Sequence, residues 1–487
     1  MLDDHGPGLR LYLATSALVL AVSTCYRKYR GKQSGPPLPP GPTPLPILGN
    51  VLSLDVAQPW LTFNAWRSTY AILPYGDRWR LHRRIYHQAF RQSEIHTYHA
   101  VQLRCAHKML LRVLQDPSEY SKHFEMFSTS FVLAIVYDYE PKVRDDPFVH
   151  IMEKYLDRIV TNLTPGATVI LETFPFLLKL PNWFPGATFK RASLECLKAA
   201  HDIKEIPFQM VKERMSTGVT APCFVTDTLN RMRGLDDTVI TTAVKETACI
   251  TFAGIQATEL FPHDGYCYFF VVVIILPSAQ TTSTLLVFIL AMVLNPEVQA
   301  KAQAEIDEIV GKDRLPDFDD RPALPYVDAV LRETFRWYPV VPFGAPGATT
   351  TSDIYKGYFI PKGSAITHDE KMYPSPDEFK PERFLHEDGS LTSDTMHLGF
   401  GFGHRMCVGR HVAEASLWIA MTSFLAMFSA HKALDEHGIE IPVVPKFSTG
   451  VIIHPEKFPC RIVPRFPDTS LQTLMHLTGL DPCVDIA

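Results

Sequence analysis

Phe400-Gly401-Phe402-Gly403-His404-Arg405-Met406-Cys407-Val408-Gly409-Arg410 is the stretch whose reading decides the fold. It is a glycine-rich loop that runs into a helical stretch from Val408 to about Phe428. Glycines at 401 and 403 let the backbone turn tightly and approach a flat ligand. A cysteine at the start of a helix has its thiolate stabilised by the helix dipole and by free amides, which makes Cys407 a candidate ligand. Gly409 leaves room for close approach on the other side, and Phe400 is placed to cover the sulfur against water and oxidation. Arg405 is long enough to reach an anionic carboxylate of a cofactor. Taken alone, a single cysteine behind such a loop reads more readily as buried structure than as a ligand. The chain's 9 cysteines contain no CxxC pair, which argues against a zinc ribbon, an iron–sulfur cluster, covalent c-type haem attachment or a dithiol redox site.

Working outward, Glu333-Thr334-Phe335-Arg336 places a carboxylate and a guanidinium three residues apart, on one helical face. Such a pair is common on surfaces, but Phe379-Lys380-Pro381-Glu382-Arg383-Phe384 follows and offers it a second arginine. Trp79-Arg80-Leu81-His82-Arg83 reads by itself as a basic amphipathic helix. Ala253-Gly254 and Thr281-Thr282 are separated by residues 255–278, in which Pro262, Pro277 and Asp264-Gly265 break any continuous helix. Long amphipathic segments around 95–117, 146–162, 188–215, 240–253, 281–294 and 324–338 predict a mainly helical protein. β-like pieces appear at Tyr355–Pro361, Phe447–Ile453 and Arg461–Val463.

At the amino terminus, Leu11–Tyr26 is apolar, small or hydroxylated and is followed by Arg27, Lys28, Arg30 and Lys32. That order predicts a signal anchor with the rest of the chain on the cytosolic side; a cleaved signal peptide would carry its basic residues first. On that topology the Asn162-Leu163-Thr164 sequon never meets the glycosylation machinery. The segment Pro36–Pro46 is a stiff spacer, since proline torsions and missing amides exclude helix and sheet. The net charge of −5 leaves no basic field for a phosphate backbone, so no nucleic acid is expected as a partner.

The pattern FxxGxRxCxG at Phe400, Gly403, Arg405, Cys407 and Gly409, preceded along the chain by WxxxR, then ExxR and then PERF, resembles the cytochrome P450 family, of the microsomal, fungal-like type. The resemblance implies a mainly α fold with small β-sheets, preceded by one N-terminal membrane-anchor helix. It implies haem b (iron protoporphyrin IX) with Cys407 as axial thiolate and metal ligand, held in a loop of Phe400, Gly403, Arg405 and Gly409. Trp79 and Arg83 would face a haem propionate, and Glu333, Arg336 and Arg383 would form a buried structural network behind the haem loop. If residues 255–278 are set aside, Ala253-Gly254-Ala279-Gln280-Thr281-Thr282 matches the family's oxygen-activating segment, with Gln280 at the usual acid position and Thr281 as the catalytic, proton-delivering hydroxyl.

The activity implied is insertion of one oxygen atom from O2 into a lipophilic small molecule. The expected partners are a membrane-bound NADPH–cytochrome P450 reductase, which relays electrons from NADPH, and membrane lipid at the endoplasmic reticulum, with a single span and a cytosolic catalytic domain. A reductant-independent isomerase or dehydratase of the same fold, and an inactive or haem-poor remnant, stay open as alternatives. The expected organisation is an anchor and basic flank over 1–32, a proline-rich hinge over 33–50 and a catalytic domain over 51–487. Within that domain, segments the family carries are missing near 71 and 366, Gly347 stands where histidine is frequent, and residues 255–278 read as translated non-coding sequence such as a retained intron.

Overall fold

Three of the described helices begin on a proline, Pro277, Pro296 and Pro325, where the missing amide would have had no partner in any case. The computed structural model describes residues 77–142, 146–151, 188–218, 221–232, 234, 237–253, 277–341, 353–355, 358–360, 373–401, 403, 406–448 and 453–480. The anchor expected at 11–26, the proline segment, the sequon, Gly347, Arg405, the junctions near 71 and 366 and nearly all of 255–278 lie outside these residues.

The chain divides into two compact units. One comprises Met1–Ile72 and Pro346–Thr367; its described residues form a hairpin of β1 (Asp353–Tyr355) and β2 (Tyr358–Ile360), antiparallel with Asp353 opposite Ile360. This is where the β-like piece at Tyr355–Pro361 was expected. The other comprises Leu73–Ala345 and His368–Ala487 and holds all the helices among the described residues. In chain order they are α1 (Asp77–Phe90), α2 (His99–Gln115), α3 (Tyr120–Tyr137), α4 (Thr188–Ser216), α5 (Phe224–Arg231), α6 (Asp237–Ala253), α7 (Pro277–Leu294), α8 (Pro296–Ile309), α9 (Pro325–Trp337), α10 (Arg410–Met427) and α11 (Leu471–Thr478).

Two of these helices are apolar around their whole circumference and therefore lie inside. In α7 every residue from Leu285 to Val293 is buried, and in α10 every residue from Ala415 to Met427 is. They pack on one another, with α7 also against α3 and α10 also against α2. Phe124, Phe288, Phe424 and Phe428 meet edge-on or tilted between them. Each such buried ring contributes roughly 1.5–3 kcal/mol by leaving water.

The helix expected to run to about Phe428 ends at Met427, and the chain then enters a strand the sequence did not suggest: Phe428–Lys432 forms β3, paired antiparallel with β4 (Cys460–Pro464). The strand alternates buried Phe428 and Ala430 with partly exposed Ser429 and His431, and the Gln299 side chain of α8 bonds both the amide and the carbonyl of Ala430, at 2.8 and 3.1 Å. A helix could not offer those two groups. Pro277, read as a breaker, stands at the first position of α7, because proline is tolerated in a first turn and not in a helix interior. Among the described residues no single helix is long and apolar enough to cross a membrane.

Candidate active site

The loop before α10 is shaped by its glycines. Gly401 and Gly403 have φ of +83° and +54°, the left-handed region that costs other residues, and the loop closes where the Cys407 amide donates to the Phe400 carbonyl at 2.8 Å. Gly403 also accepts from the Met406 amide at 3.2 Å. Gly409 is the N-cap of α10 with an ordinary φ of −89°, so it is not there for backbone freedom. A Cβ at Gly409 or at Gly403 would meet open space, so the backbone at both positions is uncovered.

Cys407 is an exposed residue, yet the protein around its thiol is dense enough that burial pushes it above its ordinary 9.0. These facts fit a side chain at the floor of an opening rather than on the outer surface. The Gly409 amide, which donates to the sulfur, and the positive charges of Arg83 and Arg410 act in the other direction and favour the thiolate. A metal ion on the sulfur would displace the proton and reverse the balance.

Two supports hold this loop in place. From α9, Phe335 meets the Phe400 ring edge-on, with centroids 5.2 Å apart. From α1, Arg83 donates through Nη1 to the Met406 carbonyl at 2.6 Å. Trp79, Arg80, Arg83, Arg84 and His87 of α1 together with Gly403 line a cavity of about 380 Å³. The structure thus brings Trp79, Arg83, Phe400, Gly403, Cys407 and Gly409 into one neighbourhood.

Behind α9 the carboxylate of Glu333 is fully buried and forms a two-toothed pair with Arg336, Nε to Oε2 at 2.6 Å and Nη2 to Oε1 at 2.8 Å. Arg336 also donates to the carbonyls of Pro376 and Glu378, each at 2.9 Å, and the Lys380 amide donates to Glu333 Oε1 at 2.7 Å. Arg383 completes the set, with Nε 3.5 Å from Glu333 Oε1 and Nη2 donating to the Ser375 carbonyl at 2.7 Å. Glu333, Arg336 and Arg383 therefore converge on one buried carboxylate. Sequence reasoning missed Tyr373, whose ring lies under the Arg336 guanidinium at 5.7 Å and whose hydroxyl donates to Asp394 at 2.6 Å.

Thr281 is buried in the first turns of α7. Its neighbour Thr282 donates to Ser128 of α3 at 3.1 Å, and the Gln280 carbonyl accepts from Thr284 at 2.8 Å. Ala253 closes α6, and Gly254 lies outside the described residues. Sequence reasoning also missed Glu246 on α6, which is buried against Arg78 and His82 of α1. The spacing of Arg78, His82 and Tyr86 by four would have marked their shared face.

The chain can be set beside known proteins at this point. The family model described as Cytochrome P450 matches residues 55–458. A cytochrome P450 monooxygenase of Armillaria gallica is 33% identical, with 90% of this chain and 94% of the relative covered. Others from Ampulloclitocybe clavipes and Rhodocybe pseudopiperita are 32% and 31% identical, covering 91% and 93% of this chain and 89% and 94% of their own lengths. The first alignment runs over 506 positions while taking in 90% of a chain of 487 residues, so the relative carries segments with no counterpart here.

Proposed function

The chain belongs to the cytochrome P450 family of oxidoreductases, and from that premise we propose that it is a haem-thiolate monooxygenase that inserts one atom of O2 into a lipophilic small molecule. The family implies haem, and the residues present fit it. The observation that carries the reading is Cys407 itself, an exposed residue whose thiol is surrounded by dense protein, with the Gly409 amide on it and open space beside two glycines. When bound, the haem iron supplies the dioxygen chemistry, and an axial thiolate favours O–O cleavage.

The chain's own residues then have distinct tasks. Cys407 would hold the haem iron through its sulfur, the Gly409 amide tempers the charge on that sulfur, and Phe400, braced by Phe335, steadies the loop that carries it. Trp79 and Arg83, together with Arg405, offer donors and positive charge to the haem carboxylates. Glu333, Arg336 and Arg383 hold the loop by fixing α9, from which Phe335 braces Phe400. Thr281 holds and passes a proton at its hydroxyl; Gln280, at the position where the family has an acid, orients that hydroxyl or a water by hydrogen bonding because it cannot titrate. Electrons come singly from an NADPH-dependent reductase, and the apolar run at 11–26 tethers the chain to the endoplasmic reticulum membrane with this domain in the cytosol.

The test is the ferrous-carbonyl spectrum. Full-length protein should give the red-shifted Soret band of a thiolate ligand, and Cys407→Ser should lose it, since a neutral hydroxyl does not replace the anionic sulfur. An unchanged band in the variant would remove Cys407 from the site. A second reading, a haem-poor remnant of the same fold, is favoured by the segments that the relative has and this chain lacks. Purified wild-type protein without haem would support that reading over the first.

A further inference from the structure

Helix α1 presents two adjacent rows of side chains, each spaced by four. Arg78, His82 and Tyr86 form one row, and Trp79, Arg83 and His87 form the next, about 100° further round the helix. The first row is pinned to α6 at three places. Arg78 Nη2 donates to Glu246 Oε1 at 2.5 Å, His82 Nε2 lies 3.0 Å from Glu246 Oε2, and the Tyr86 hydroxyl donates to the Thr247 carbonyl at 2.9 Å. The second row lines the cavity that Gly403 shares, and Arg83 reaches the Met406 carbonyl from it. Turning α1 about its axis would break the pinned row and swing the other away from the cysteine loop at the same time.

Two of the three pins meet on one carboxylate. Glu246 and His82 are each 4% exposed in their side chains, so neither is held there by solvent, whereas Arg78 is 41% exposed and closes the cluster from outside. A carboxylate buried this deeply persists because the Arg78 guanidinium donates to it and the His82 ring lies against it. Its position on α6 has no part in the cysteine loop, the Glu333 network or the Thr281 segment.

We infer that Glu246 is a positioning residue for the cofactor site: acting through Arg78 and His82 it sets the rotation of α1, and with it the aim of Trp79 and Arg83. The inference rests on the haem reading above. It differs from a general stabilising role in one respect, because its effect on the cofactor must pass through the second row and above all through Arg83.

The experiment is a double-mutant cycle on the full chain loaded with haem, with the rate of haem loss to an excess of a haem scavenger as readout. Glu246→Gln should release haem about tenfold faster than wild type, and Arg83→Ala should also hasten release. With Arg83 already replaced, adding Glu246→Gln should change the rate less than twofold, and Glu246→Asp in the wild-type background should restore most of the loss. Fully additive effects, or a wild-type rate in Glu246→Gln, would overturn the inference. If Glu246→Gln fails to fold, Arg78→Gln, a change at a half-exposed side chain, takes its place in the same cycle with the same expected non-additivity. A wild-type chain that takes up no haem refutes the haem reading itself, and this inference with it, before any variant is compared.

Discussion

Glu333 is a fully buried carboxylate whose two oxygens are spoken for by Arg336, Arg383 and the Lys380 amide. Removing one member of such a set costs more than the set is worth, because the remaining charge is left in a medium that cannot solvate it. Arg336→Ala is therefore expected to lose about 3–5 kcal/mol of stability and most haem incorporation, not merely turnover. Denaturant unfolding and haem content of the purified variant measure both, and normal values for each would show the pair to be dispensable. A second residue carries a pH dependence. Burial pushes the Glu414 carboxyl of α10 up to about 7 from its ordinary 4.5; Arg321, Arg410 and Arg332 pull it down and Asp328 adds to the rise. A carboxyl whose folded value is raised binds its proton more tightly in the folded state. Its contribution is thus complete below about 4.5 and is lost as pH rises through 7. Glu414→Gln should raise stability at pH 8 by roughly 1–3 kcal/mol and leave it nearly unchanged at pH 4.5, as read from melting curves at the two pH values. An equal effect at both pH values would contradict the assignment.

At the scale of elements, the site depends on where α6 ends and α7 begins. The two helices close at Ala253 and open at Pro277, and the residues that separate Ala253-Gly254 from Gln280-Thr281 are rich in breakers and contain the apolar run Tyr268–Leu276. Nine apolar residues of strong β propensity are too few to span a bilayer and form an aggregation-prone segment wherever they are exposed. If 255–278 is translated non-coding sequence, mature transcripts should lack it, and the shortened chain should take up more haem and consume NADPH with a substrate. Transcripts that encode the segment in every copy would end that idea. The same scale explains the clamp on α1: rows of side chains, not single residues, decide which way a helix faces, and a carboxylate on α6 selects the row.

At the scale of the whole molecule, the proposed membrane anchor rests on the apolar run at 11–26 and the basic cluster Arg27, Lys28, Arg30 and Lys32 behind it. Deleting residues 1–31 should release the protein from membranes in a fractionation experiment and leave its haem spectrum unaltered. Equal membrane retention of the shortened chain would place the attachment elsewhere in the sequence.

Much of the site could be read from the chain because its chemistry is local. The left-handed glycines 401 and 403, the cysteine at a helix start and the Glu333–Arg336 pair are all spaced within one loop or one helical turn, where covalent geometry sets the distances. The segment 281–294, expected to be amphipathic, instead lies inside as α7, buried on every side from Leu285 to Val293. What lay beyond the sequence is every contact between elements. Arg78 meets Glu246 across 168 residues, Phe335 braces Phe400, Tyr373 lies under Arg336, and Phe428–Lys432 leaves its helix to pair with Cys460–Pro464. Helical period shows which side chains share a face but not what that face will meet, and only the packing of one element on another, driven by the burial of their apolar surfaces, decides it.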